Sequence, residues 1–345
     1  MLTECEECIE KERMCRRLGW PFPAEAGRIM DLITGATGFI GRRLARHLAQ
    51  QGQACRLLAR HGNGDGTMHL VDLTNPAALS EACSGIERIF HCAGYAHAFS
   101  SLSGETAGQH WRGNYQATRN LAEAAGRAGV QRFVFLSSVK AQAEPGEACG
   151  DEEFPGEPTT DYGRSKRAAE EAVLEAGARF GMHVVNVRLT MVYGAGGRGN
   201  LERMGRLVRK GWFPPLPETG NRRSLVHVDD VVEAMRQVMN ADVANGRTYI
   251  VAGPQAPSGR QLYDAMRKVL GLPAARWSVP EPVFRFAAGC GDLVEATFKR
   301  RVPLNSEVVD RLLGSAWYSS ARIIRELGWQ ARIGLEEGLR EMFGL

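Results

Sequence analysis

Apolar and polar positions fall into alternating blocks along this chain. The short apolar run from Ile29 to Ile33 has the form of a buried strand, and it leads into Gly35, Gly38 and Gly41. The stretch RRLARHLAQQG that follows carries its apolar residues at helical spacing. Cys55 to Ala59 reads as a second strand, MHLVDLTN as a third, IERIFHCAGYAH as a fourth and RFVFLSS as a fifth. One long helix is predicted around NYQATRNLAEAAGRAG. Another follows Asp161, where Ala168 to Ala178 is rich in strong helix formers. After residue 190 the pattern changes. GAGGRGN reads as a loop, GWFPPLPETGNRRS is proline-rich and irregular, SLVHVDDVVEAMRQVM is a strand running into a helix, and GRTYIVAG is a further strand.

Strands that alternate with helices predict a parallel sheet with helices on both faces. The expected fold is α/β, a Rossmann-type doubly wound sheet over residues 29–190. A smaller C-terminal lobe over 191–345 is interleaved with it. Residues 1–28 stand apart. They hold Cys5, Cys8 and Cys15, but no second pair at metal-ligand spacing, and His47 belongs to the first helix. The expectation is no metal and a disordered extension or gene-start artefact, because MDLITGATG from Met30 reads as a natural beginning.

Composition narrows the partners. The chain has 345 residues, of which 44% are hydrophobic and 24% charged, and its net charge is +4. No Lys/Arg block supports a nucleic-acid partner. No apolar run reaches membrane-spanning length, so no membrane insertion is expected. The acidic, polar N-terminus does not read as a signal peptide, and eight scattered cysteines suit a reducing cytoplasm.

The chemistry clusters at predicted strand ends, where doubly wound sheets bind ligands. The strand–glycine–helix order over Gly35, Thr37, Gly38, Phe39, Ile40 and Gly41 suits a dinucleotide. It gives a tight turn, close backbone approach to a pyrophosphate, and a helix N-terminus facing it. The second strand ends in Ala59 and Arg60, with no acid for the ribose hydroxyls. Arg60 could pair with a 2′-phosphate, so the cofactor is NAD or NADP, with Arg60 tilting the choice toward NADP. Asp72 and Leu73 could hold an adenine edge, and Ala93 with Gly94 are small enough for a cofactor to lie close. Tyr162 and Lys166 share one face of a helix start. An ammonium near a phenol favours the phenolate and lowers its pKa, as a tyrosine acid/base requires.

The motifs TGATGFIG at 34–41, DLT at 72–74, Asn114 in NYQATRNLAEAA, FVFLSS at 133–138, YGRSK at 162–166 and RLTMVYG at 188–194 occur together. In order and spacing the chain resembles the extended short-chain dehydrogenases/reductases of the NAD-dependent epimerase/dehydratase family, from about residue 29 onward. The resemblance implies Tyr162 as acid/base, Lys166 holding the nicotinamide ribose, and Ser138 hydrogen-bonding the reacting oxygen. Ser137 should point to the other face of its strand. Asn114 would support a proton relay or the local backbone.

NRRSLVHVDDVVEAM resembles the nucleotide-sugar segment in which an arginine grips the substrate diphosphate, which places Arg223 there and makes the C-terminal lobe the substrate-binding one. Asn200 would touch the same nucleotide. Ser138, Val139 and Lys140 stand where sugar 4,6-dehydratases carry Thr-Asp-Glu, which sets dehydration aside. The implied activity is an oxidoreductase or epimerase at C4 of a UDP-sugar, in a homodimer. The alternatives are a hydroxysteroid- or terpenoid-type dehydrogenase, with Trp212, Phe213, Pro214, Pro215 and Leu216 lining an apolar pocket, and a non-catalytic NAD(P)-binding subunit.

Overall fold

Seven parallel strands form the centre of the protein, described by a computed structural model over residues 30–60, 68–95, 105–197, 199–298 and 305–345. The expected extension, with Cys5, Cys8 and Cys15, lies outside the described residues. The strands are β1 (Met30–Thr34), β2 (Ala54–Ala59), β3 (His69–Leu70), β4 (Arg88–His91), β5 (Arg132–Ser138), β6 (His183–Leu189) and β7 (Arg247–Val251). They lie in the order β7-β6-β5-β4-β1-β2-β3. The chain therefore winds outward from β1 through β2 to β3, then restarts at β4 on the other side of β1. That reversal opens a crevice at the carboxyl ends of β1 and β4.

Alternation along the strands divides the core in two. Ile33, Leu57, Phe90, Val134 and Val187 face one way and meet α1 (Phe39–Gln50) through Leu44 and Leu48. Leu32, Leu58, Ile89, Phe133 and Val184 face the other way. They meet α2 (Pro76–Cys83), α3 (Ala117–Arg127, entered through Glu105–His110 and Trp111–Gln116) and α4 (Asp161–Phe180). Because both faces are buried, the strands read as continuous apolar runs rather than alternating ones.

α4 starts where local chemistry dictates. Thr160 caps it by accepting the Gly163 N–H at 3.0 Å, Asp161 favours the positive end of the helix, and left-handed Gly181 ends it. Its buried side is built from small residues, so it lies close to the sheet. A side chain at Gly163 would reach 2.2 Å from the Lys140 carbonyl oxygen. Buried Glu170 on α4 accepts two bonds from Arg188 on β6, at 2.9 and 2.7 Å, and Arg188 also donates to Gln142 Oε1 at 2.7 Å.

Beyond β6 lie α5 (Asn200–Arg209), α6 (Val228–Asn240), α7 (Gly259–Val269), α8 (Glu281–Phe298), α9 (Ser306–Leu313), α10 (Ala321–Leu327) and α11 (Leu335–Phe343). A third core gathers Leu201, Met204, Leu216, Tyr263, Met266, Phe284 and Leu339. α6 is the exception, covering the same sheet face as α1. Arg43 on α1 binds Asp229 of α6 at 2.5 Å and Glu341 of α11 at 2.7 Å, while His227 Nε2 lies 2.5 Å from the other Glu341 oxygen. His227, Asp229 and Glu341 could ligate a metal by type and spacing, but the Arg43 guanidinium already occupies both carboxylates.

Replacing Arg188 with Met would leave Glu170 buried and uncompensated. The expected cost is about 3–5 kcal/mol, measured as a lower denaturant midpoint in urea unfolding. A variant of unchanged stability would contradict the structural role of the pair.

Candidate active site

The crevice at the switch point is built from the β1–α1 turn. Gly35 sits at φ +67°, and a side chain there would meet the Ala93 backbone nitrogen at 2.7 Å, so only glycine fits between the two strand ends. Gly41 backs onto this turn, where a side chain would lie 2.4 Å from the Gly35 oxygen. α1 begins at Gly38 with no side-chain cap and no acid in its first turn. Its first amides and the positive end of its dipole therefore stay open to an anion.

A cleft of about 610 Å³ spreads from this turn. Gly35, Thr37, Gly38, Arg60, Asp72, Leu73, Ala93 and Gly94, all singled out from the sequence, line it. Phe39, Ile40 and Gly41 do not border it: Ile40 packs against the core and Gly41 supports the turn from behind. Asp72 accepts the backbone and side-chain bonds of Thr74 at 2.9 and 2.8 Å, and these bonds hold its carboxyl below the usual range. Thr34, Tyr95, Gln109 and Arg112 also line the cleft. Thr34 opens the TGATGFIG motif, whereas no sequence motif marks Tyr95, Gln109 or Arg112, although Gln109, Gly113 and Ala117 recur at helical spacing.

Behind the cleft, a buried chain runs across the sheet. Thr34 Oγ1 lies 2.6 Å from His91 Nδ1, His91 Nε2 lies 2.8 Å from Thr118 Oγ1, and the Ala93 N–H donates to Thr34 at 3.1 Å. Burial, assisted by the Lys166 charge, pushes the His91 imidazole down to about 3, so it is neutral at physiological pH.

Tyr162, Lys166, Ser138 and Asn114 do not line the cleft; Lys166 and Asn114 lie just beyond its Gly94 edge. The helix leading into α3 has a π turn at Trp111–Gln116, and Asn114 sits inside it; such turns gather at functional sites. Asn114 Oδ1 accepts from the Tyr95 N–H at 2.7 Å, and its Nδ2 donates to the Tyr95 carbonyl at 3.1 Å and to Ser165 Oγ at 3.0 Å. Ser165 donates in turn to the Tyr162 carbonyl at 2.8 Å. Asn114 thus ties the β4 loop to the start of α4. Ser138, at the end of β5, hydrogen-bonds the Tyr162 phenol and accepts the Lys140 N–H at 3.2 Å. Ser137 Oγ is buried without a protein partner.

One expectation changes direction. The phenol of Tyr162 is pushed up, because burial outweighs the Ser138 hydrogen bond and Lys166 contributes no resolved effect. The Lys166 ammonium is instead turned to the Leu136 carbonyl at 2.8 Å and lies 4.6 Å from the centre of the Phe135 ring. Burial pushes Lys166 down to about 8, with Glu170 and Cys92 working against the shift. The Lys166 Nζ and Asn114 Oδ1 would each be 3.3 Å from a side chain at Gly94, so that glycine keeps the floor open.

A second cavity of about 200 Å³ lies in the C-terminal lobe. Asn200 and Arg223 both line it, joined by Arg203 and Arg311. The remaining wall is mostly apolar and includes Met191, Met204, Phe213 and Leu216. Met191 follows two residues after Leu189, the register partner of Ser138. Arg223 donates to the Gly314 carbonyl at 3.0 Å, and burial pushes its guanidinium down. Arg203 and Arg311 lie in no recognisable motif, and only folding brings them to Arg223.

These features define a dinucleotide-binding enzyme fold. The chain belongs to the NAD dependent epimerase/dehydratase family, whose model matches residues 32–252. It is 30% identical over 320 residues to a UDP-glucose 4-epimerase of Vibrio cholerae, covering 90% of this chain and 93% of that one. It is also 27% identical over 353 residues to a 3 beta-hydroxysteroid dehydrogenase/Delta 5→4-isomerase of Mycobacterium tuberculosis, covering 95% and 93%. The solved structure of MoeE5 in complex with UDP-glucose and NAD superposes with a TM-score of 0.72 at 24% identity, over 91% of this chain and 97% of that one.

Gly35→Ala is expected to destabilise the protein by about 2 kcal/mol or more, combining a left-handed backbone cost of about 1–2 kcal/mol with the clash at Ala93. Thermal unfolding in the absence of any nucleotide measures this. A midpoint equal to wild type would show that the turn relaxes freely.

Proposed function

We propose that the protein is an NAD(P)-dependent oxidoreductase or epimerase acting at C4 of a UDP-sugar. The observation that carries this reading is the convergence of Arg223, Arg203, Arg311 and Asn200 on one cavity, whose Met191 lies two residues past Leu189, the strand partner of Ser138. Guanidinium groups pair with phosphate oxygens two at a time, which suits a diphosphate-linked substrate.

NAD or NADP supplies the hydride acceptor and donor when bound. The residues present fit it. The turn at Gly35, Thr37 and Gly38, with the uncapped N-terminus of α1, would face the pyrophosphate, and Asp72 and Leu73 the adenine edge. Arg60 would meet a 2′-phosphate, Ala93 and Gly94 leave room for the nicotinamide end, and Lys166 would hold its ribose. Tyr162 takes the proton of the C4 hydroxyl during oxidation and returns it to the C4 ketone oxygen during reduction. Ser138 donates to that same oxygen. The upward shift of Tyr162 keeps it a neutral phenol at pH 7, ready to donate, and the Lys166 cation would favour the phenolate in the reverse direction. Asn114 positions the first turn of α4 through Ser165.

The apolar remainder of the second cavity favours one alternative, a hydroxysteroid-type substrate on the same Tyr–Lys chemistry. Incubation with UDP-glucose or UDP-N-acetylglucosamine, followed by NMR, separates the readings. A C4 epimer without net cofactor change supports the epimerase. A 4-keto sugar formed only with added NAD(P)⁺ supports the reductase. No turnover of either sugar, with oxidation of a 3β-hydroxysteroid, overturns the sugar assignment. Tyr162→Phe is expected to lower kcat by roughly 10²–10⁴-fold while leaving dinucleotide affinity near wild type.

Lys166 gives a pH dependence of defined sign. With its value lowered to about 8, it is a cation below that pH and neutral above it. Dinucleotide affinity, measured by calorimetry, is therefore expected to weaken as pH rises through about 8. Lys166→Met should bind weakly at all pH values and lose that step.

A further inference from the structure

Helix α8 is apolar on two opposite sides. Phe284, Ala288 and Gly291 face the third core. On the opposite side Val283, Phe286, Cys290, Leu293 and Val294 follow one another at helical spacing and are exposed, Phe286 at 76% and Leu293 at 70%. A helix apolar all round is normally covered all round, and exposed apolar stripes of this kind mark interaction surfaces.

Two exposed tryptophans lie on the loops beside the start of the helix. Trp277 and Trp212 are exposed at 63% and 73%. Their loops are bound together and to the start of α8: the Val279 N–H donates to the Pro215 carbonyl at 3.0 Å. Arg260 donates to the carbonyls of Leu216, Ala275 and Trp277 at 3.2, 2.8 and 3.4 Å. Cations flank the aromatic rings. Lys210 lies 5.2 Å from the Trp212 ring, and exposed Arg276 adjoins Trp277. Two exposed tryptophans, a stripe of Phe, Leu and Val, and bordering Lys and Arg match the chemistry of a surface that lies within a bilayer interface.

We propose that this face docks in the plane of an anionic phospholipid bilayer, with the apolar stripe in the acyl boundary and the cations against the headgroups. Among the described residues no helix is long and apolar enough to cross a membrane, so the contact is interfacial. Docking there would bring Phe213 and Leu216, walls of the second cavity, beside the lipid surface. A second copy of the chain is the competing occupant; anionic headgroups complement Lys210 and Arg276 beside the two tryptophans.

The test is co-sedimentation of the full chain with vesicles of equal parts phosphatidylglycerol and phosphatidylcholine, and with phosphatidylcholine alone. Binding is expected on the anionic vesicles, weaker on the neutral ones, and reduced by salt of about 0.5 M. The double substitution Phe286→Ser and Leu293→Ser should weaken it roughly tenfold or more without lowering the thermal midpoint, since both side chains are exposed. Trp212→Ser with Trp277→Ser should remove a blue shift in tryptophan fluorescence on vesicle addition. Failure of the wild type to bind anionic vesicles overturns the proposal, as does undiminished binding by the Phe286/Leu293 variant. A lipid-independent dimer that this variant dissociates would assign the face to a second copy instead.

Discussion

The position of α4 on the sheet rests on one buried ion pair. Arg188 of β6 grips Glu170 of α4 with two hydrogen bonds, while Gln142 satisfies another guanidinium donor. Glu170 stands one turn after Lys166, which stands one turn after Tyr162. Fixing Glu170 against β6 therefore fixes the height and rotation at which the lysine and the phenol reach the ends of β5 and β4. Packing of small residues allows many such positions, whereas a bidentate pair deep in the protein allows one.

From that anchor the electrostatics of the crevice follow. Lys166 and His91 are buried and Tyr162 is half-buried, and in each case burial is the largest cause of the shift. All three move toward the neutral form: the lysine and histidine downward, the tyrosine upward. A desolvated Tyr–Lys pair costs little to neutralise and responds strongly to a nearby charge. This is what an acid/base that must work in both directions requires.

The two lobes are joined by charge as well as by packing. Arg43, in the helix that follows the glycine turn, binds Asp229 and Glu341 from two helices of the C-terminal half, and α6 covers the same sheet face as α1. The helix that follows the glycine turn is thus tied directly to α6 and α11 of the C-terminal half.

Much of this was legible along the chain. Continuous apolar runs, glycines at the first turn, and the Tyr162–Lys166 spacing are local, and local sterics and helix periodicity are enough to read them. Eight of the expected cofactor positions line one cleft, and Asn200 and Arg223 share one cavity. What the sequence by itself determined was therefore the winding of the sheet, the glycine turn and the placing of Tyr162 and Lys166 one turn apart at a helix start. Only the tertiary structure decided where the Lys166 ammonium points, that Tyr162 is shifted upward by burial, that Arg112 faces one site and Arg203 and Arg311 the other, and that α8 leaves an apolar side uncovered. The physical reason is that desolvation and convergence of side chains depend on neighbours distant in the chain, which no local pattern encodes.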